Sequence, residues 1–398
     1  MTKMIRSLCK FLPSAILVAG LSASGSGSAA AAEPFVIPVV LPLTGNAAFL
    51  GQGEKMSLEI QEKVVNQQGG INGTPIHYVF NDDQSSPQVA VQLAGQIAAQ
   101  HPAAILGSAL VAMCNAMAPL LANGPVLYCF SPGIHPPAGA LAFTAFVSTH
   151  DQAVALVRYY RGRGFTRLAM ITSTDASGQD GAHGFEEAVR LPENKDMKLV
   201  SEVQFSPTDV SVSAQIEQLK SSNPQALIAW TSGSPFGTVL KGIAQSGLDI
   251  PVGTTDANMT NAQMRQYASF MPNEALFMST EWPEHPAALK LDPGVEAAQK
   301  FMFDAYTAAG VVPDIAVAHA WDPGLLLINA FRKVGLSATS EQVRADLASV
   351  KGWAGINGVY DFEKTPQRGL DVTDSVVTRW QLDKKAWAIV SRPGGEPL

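Results

Sequence analysis

From Phe35 onward, short runs of β-branched and aliphatic residues alternate with longer stretches of helical periodicity, and this alternation is the strongest constraint on the fold. Strands separated by helices pair as parallel sheets whose faces the helices cover. Strands are expected at 36–41, 77–81, 104–106, 126–130, 168–171, 199–204, 226–230 and 250–253, with intervening helices at, for instance, 52–66, 153–161, 213–220 and 236–245. Gly69-Gly70 stops the first helix and Asn72-Gly73 turns the chain into the second strand. A single hydrophobic core seldom grows past roughly 250–300 residues, so the 398 residues predict an α/β protein of two Rossmann-like lobes with parallel sheets. The first βα series ends near 143–148, a second runs from the helix after His150 to about 278, and 293–350 turns helical before closing strands at 358–362 and 378–382. This return predicts a three-segment hinge near 147–151, 279–284 and 356–364, with residues 33–148 and 283–357 in lobe 1 and 149–282 and 358–398 in lobe 2.

Residues 1–32 stand apart. Lys3, Arg6 and Lys10 form a basic head, 11–21 an apolar stretch, and a Ser/Gly/Ala-rich tail places Ala30 and Ala32 at small-residue cleavage positions. This is signal-peptide organisation and predicts export with a mature chain starting near Glu33. The apolar run is short of the roughly 20 residues that span a bilayer, and Cys9 precedes it, where no lipoprotein cleavage site could use it. No other segment has spanning length, so the expected location is the periplasm without stable membrane insertion. Removing the three basic leader residues takes the formal net charge from −7 to −10, and the absence of a basic run excludes nucleic acid as a partner. Cys114 and Cys129 fall on neighbouring elements, one opening a helix and one ending the next strand; an oxidising compartment allows either a disulfide or two buried thiols.

Catalytic and cofactor motifs are absent. Leu43-Thr44-Gly45-Asn46-Ala47 follows the first strand where a dinucleotide-binding fold would carry its glycine fingerprint, and no Walker-type loop occurs. In Gly233-Ser234-Pro235-Phe236-Gly237 the serine stands one place too early for a nucleophile elbow. The histidines at 77, 101, 135, 150, 183, 285 and 319 show no metal-ligand spacing, so no metal or cofactor is expected. Asp82-Asp83 could do acid/base or metal chemistry, but reads better as a solvated strand end with a helix cap at Ser85 or Ser86.

Several segments, in order, resemble the leucine/isoleucine/valine-binding family of type I periplasmic binding proteins. They are Pro42-Leu43-Thr44-Gly45, Ala48-Phe49-Leu50-Gly51, Gly69-Gly70-Ile71-Asn72-Gly73 and Asn81-Asp82-Asp83 with Pro87. Ser131-Pro132, Asp175 with Gly178, Gly253-Thr254-Thr255-Asp256 and Gly358-Val359-Tyr360-Asp361-Phe362 continue the set, which covers about 35–390. The resemblance implies a non-enzymatic solute-binding component of an ABC importer that closes two lobes around a small molecule and delivers it to a permease and ATPase complex. Parallel sheets bind ligands beyond their strand carboxyl ends, which agrees with a cleft site.

Carried over position by position, the resemblance makes Phe49 a wall residue and Asp256 the acceptor of a ligand ammonium, with a strand-end cap as its alternative. It predicts that Asp256→Ala weakens binding without lowering the stability of the empty protein. The loop that offers hydroxyls to a ligand carboxylate reads Ala109-Leu110-Val111-Ala112 here, leaving Ser108 as partial compensation. Ser131 and Gly133 line the next loop, where His135 replaces a hydroxyl, either as a donor to an acidic ligand or as an exposed loop histidine. Ser177 stands at the position of a stacking tyrosine, and Ser232 with Gly233 ends a strand of the second lobe beside Trp230, which could equally be core. The implied ligand is an amino acid or related small carboxylate, aromatic or aliphatic. The alternatives are an amide-type solute or a sensor of the same fold feeding a signalling receptor.

Overall fold

The first apolar runs become a parallel sheet in the computed structural model, which describes residues 33–284 and 289–398. In chain order the elements are β1 (Phe35–Leu41), α1 (Ala48–Gln67), β2 (Ile76–Asp82), α2 (Pro87–Ala98), β3 (Ala104–Gly107), α3 (Val111–Met117), β4 (Val126–Cys129) and β5 (Ala142–Thr144). They build a five-stranded sheet of order β2-β1-β3-β4-β5, parallel throughout. Val39, Val40 and Leu41 are all buried, because helices cover both faces and leave no solvent side on which polar residues would alternate.

A second series follows: α4 (Thr149–Gly162), β6 (Arg167–Ser173), α5 (Ala176–Arg190), β7 (Lys198–Phe205), α6 (Ser213–Ser221), β8 (Ala226–Trp230), α7 (Pro235–Ser246), β9 (Val252–Thr254), α8 (Asn261–Tyr267) and β10 (Ala275–Ser279). The chain then enters α9 (Pro293–Ala309), α10 (Ile315–Val334) and α11 (Ser340–Ala348), a small β11 (Lys351–Ala354) and β12 (Val359–Asp361) ribbon, and finally β13 (Val376–Gln381) and β14 (Ala386–Ile389). The second sheet has the order β14-β13-β10-β9-β8-β6-β7. This sheet is mostly parallel, with β13 running antiparallel to β10 and pairing with β14 as a hairpin. β9 begins at Val252 and not at 250, because Pro251 has no N–H to donate to a ladder. The short β5, β10, β11 and β14 carry too few residues to reveal a period by themselves.

Two of the connecting segments lie side by side. The Thr280 hydroxyl donates to Asn357 Oδ1 at 2.8 Å, and the Ile356 and Asn357 amides donate to the buried Asp322 at 3.0 and 3.1 Å. Arg368, also buried, donates to the carbonyls of Phe146 at 3.1 Å and Ile134 at 2.7 Å. The apolar core is continuous from one sheet to the other, joining Ile37 and Leu41 to Ile171 and Phe277. Cys114 in α3 and Cys129 at the end of β4 form a disulfide. Among the described residues, no helix is long and apolar enough to cross a membrane. The signal-peptide reading, with Cys9, and His285 lie outside the described residues.

Candidate functional site

The loops at the carboxyl ends of the two sheets meet each other. The Ser234 amide donates to Asn46 O at 3.0 Å, linking the loop after β8 to the loop after β1. Gly233 makes this approach possible: it sits at φ +80°, and a Cβ there would lie 2.5 Å from the Asn46 oxygen. Gly133 performs the same service after β4, where a Cβ would fall 2.6 Å from Val111 Cγ2 and 2.9 Å from Asp180 Oδ2. Ala176, opening α5, packs on the apolar cluster of Val111, Ile134 and the disulfide.

Several residues expected to face a ligand are committed to the protein. Ser108 Oγ donates to Asp83 Oδ2 at 2.5 Å, and the Ser85 amide donates to the same carboxylate at 2.9 Å. The solvated reading of Asp82-Asp83 therefore fails for Asp83, which is fully buried; Asp82 instead accepts the Leu43 and Thr44 amides and stiffens the loop after β1. The hydroxyls of Ser85 and Ser86 do not cap α2 either: no side chain does, and Ser85 Oγ accepts the Ala47 amide. Ala109 and Val111 are buried, and Leu110 packs with the cluster beneath α2 and α3. Ser131 is buried, its carbonyl accepting the Thr144 hydroxyl at 2.6 Å. Phe49 lines a cavity of about 410 Å³ with Met56, Asn261 and Arg265. Ser177 and Ser232 are brought together, their hydroxyls 3.1 Å apart across α5 and the end of β8. Trp230 is core, edge-to-face on Phe185 at 4.9 Å.

Asp256 is neither an open acceptor nor a simple cap. It starts a short 3-10 turn after β9 and, fully buried, accepts from His319 Nε2 of α10 at 2.6 Å, with the Thr255 hydroxyl at 2.7 Å. His319 Nδ1 lies 3.5 Å from Glu54 of α1, and both Glu54 oxygens are buried without a hydrogen bond. The second contact is too long for a strong hydrogen bond and acts mainly through charge. Burial by itself would depress the imidazolium, but the Asp256 hydrogen bond and the two carboxylates outweigh it and push His319 up to about 9. Burial also pushes Glu54 up to about 7, against the pull of His319. The Phe146 ring meets His319 edge-on at 5.2 Å and completes the dry surround.

A second polar group lies at the rim. His135 is an exposed loop histidine, as one of its two sequence readings has it, and sits 2.8 Å from Asp180 Oδ1 of α5. His150, in the first turn of α4, reaches the same oxygen at 3.3 Å and Glu187 at 3.0 Å. Sequence reasoning missed Glu54, His319, His150 and Asp180. Only Glu54 left a trace, since Leu50, Glu54, Ser57, Leu58 and Gln61 share the buried stripe of α1.

Facing α/β sheets with polar groups gathered between their strand ends define a solute-binding architecture. Residues 34–385 match the periplasmic binding protein family, and the chain belongs to it. A Leu/Ile/Val-binding protein homolog from Brucella melitensis is 24% identical over 308 residues, covering 74% of this chain and 82% of that protein. An extracellular ligand-binding receptor from Rhodopseudomonas palustris HaA2 superposes with a TM-score of 0.80 at 20% identity, covering 89% of this chain and 99% of the other. A solute binding protein of an ABC transporter from R. palustris, in complex with benzoate, superposes at 0.75 and 19% identity, over 90% and 95% of the two chains. At these identities the superpositions speak for the fold alone. Family and fold are those of solute-binding proteins, not enzymes.

Proposed function

We infer that this protein is the extracytoplasmic solute-binding component of an ABC importer, exported by a cleaved signal peptide and delivering its solute to a permease and ATPase complex. The solute sits between residues 33–148 plus 283–357 and residues 149–282 plus 358–398, the two halves that the side-by-side connecting segments would hinge. The carrying observation is the approach of the two sheets' strand ends, the loop of Asn46 to the loop of Ser234 and the loop of Gly133 to Asp180 of α5.

The solute class is an amino acid or small organic carboxylate. The second is favoured by a specific contact: Asp256, the natural acceptor for an ammonium, is already paired with His319. An incoming ammonium would have to displace an imidazolium from a dry site, whereas a carboxylate lacking an ammonium meets no such competition. Ser177 and Ser232 supply hydroxyls near the loops, and the loop after β3 carries Leu110 and Val111, packed into the protein, where serine and threonine would stand in an amino-acid binder. The benzoate-bound relative supports the second class, while the Leu/Ile/Val-binding homolog supports the first.

The test is isothermal calorimetry with amino acids, hydroxybenzoates, phenylpropanoids and amides. One class is expected to bind saturably at one site per chain. Failure of the whole panel would remove the transport reading, and binding confined to α-amino acids would remove the preference for simple carboxylates.

A further inference from the structure

We propose that His135, His150 and Asp180 form a binding site for a borderline first-row divalent cation of the zinc type, closed across the rim between the two sheets. The donor atoms of the three side chains all lie within 4.8 Å of one another. They come from three separate places: the loop after β4, the first turn of α4 and the second turn of α5. A tetrahedral ion with bonds of about 2.0–2.1 Å separates its donors by about 3.3 Å. The His150 to Asp180 distance of 3.3 Å meets that spacing, and the His135 to Asp180 distance of 2.8 Å needs only a small opening.

Two further observations point to a cation. His150 Nδ1 lies 3.0 Å from Glu187 Oε2, the carboxylate–histidine arrangement that orients a metal-bound imidazole. Asp180 Oδ2 is buried and makes no well-formed hydrogen bond, only the weaker approach of the Thr149 hydroxyl, so this carboxylate has unused acceptor capacity. Two imidazole nitrogens and one carboxylate oxygen select zinc, copper(II) or nickel over calcium and magnesium, and three protein ligands leave a fourth position for water. Since His135 belongs to the first sheet's loops and Asp180 to a helix on the second, a bound ion ties the two together.

The site is independent of which solute the cleft takes. EDTA-treated protein is titrated with zinc by calorimetry, with calcium and magnesium as controls. One zinc per chain is expected, with at least tenfold weaker binding in His135→Gln and in His150→Gln, about 10–100-fold weaker binding in Glu187→Gln, and unchanged binding in His183→Gln, an exposed histidine outside the cluster. His135 is 44% exposed, so its variant folds and the comparison holds even should an Asp180 variant fail to fold. Absence of stoichiometric zinc binding, equal binding by His135→Gln and wild type, or equal affinity for calcium would each overturn the site.

Discussion

At the residue scale the decisive contact is His319 with Asp256, two fully buried charges 2.6 Å apart. Removing one partner of a buried pair strands the other, at a cost of about 3–5 kcal/mol. The expectation that Asp256→Ala would spare the empty protein is therefore reversed: the variant should lose about that much stability in denaturant titration, while pairing Asp256→Asn with His319→Gln should recover part of the loss. The same pair sets a pH dependence. His319 is raised from 6.5 to about 9, so its contribution is complete below pH 6.5 and disappears as pH rises through 9. Glu54, raised from 4.5 to about 7, has the same sign, because ionising its dry carboxyl costs stability as pH rises through 7. Melting temperature should fall between pH 6.5 and 9, and His319→Gln should flatten that fall; an unchanged slope would mean the pair is neutral.

At the scale of elements, the disulfide joins α3 to the end of β4 beneath the two loops that reach toward α5. Its sequence separation of 15 residues corresponds to about 3 kcal/mol of chain entropy removed from the unfolded state. Reduction should lower the unfolding free energy by about that amount, read as a lower denaturant midpoint at unchanged m. Val111 and Ile134 pack on the sulfurs, so reduction should also weaken solute binding; unchanged affinity would separate the bridge from the site. Gly133 and Gly233 belong to this scale too, since any side chain there would push apart loops of different sheets.

At the scale of the molecule, a solute that binds the folded chain alone stabilises it by about 2.7 kcal/mol at a hundred times its dissociation constant. The solute identified by calorimetry should therefore raise the melting temperature, and a solute held between two hinged halves should also reduce the radius of gyration in X-ray scattering. Asn357 accepts from Thr280 and donates to Asp322 and the Ala318 carbonyl, joining two connecting segments to α10.

The amino-acid sequence by itself determined the α/β alternation, the places of β1 to β4 and β6 to β8, and the helical block from 293, because burial on both faces writes continuous apolar runs into strands and a regular stripe into helices. It also marked the loops at the strand ends, where Gly, Pro and Asp cluster. Only the tertiary structure decided what those loops do. Asp256 and His319 are 63 residues apart and His135 and Asp180 are 45 apart, and no local period reports on pairs that meet because two sheets face each other. Ser108 looked free for a ligand until folding placed Asp83 beside it, and the orientation of β13 depended on which strand edge remained open for the returning chain. Local pattern follows the energetics of neighbouring residues, whereas a binding site is assembled from strand ends whose separation the chain topology alone sets.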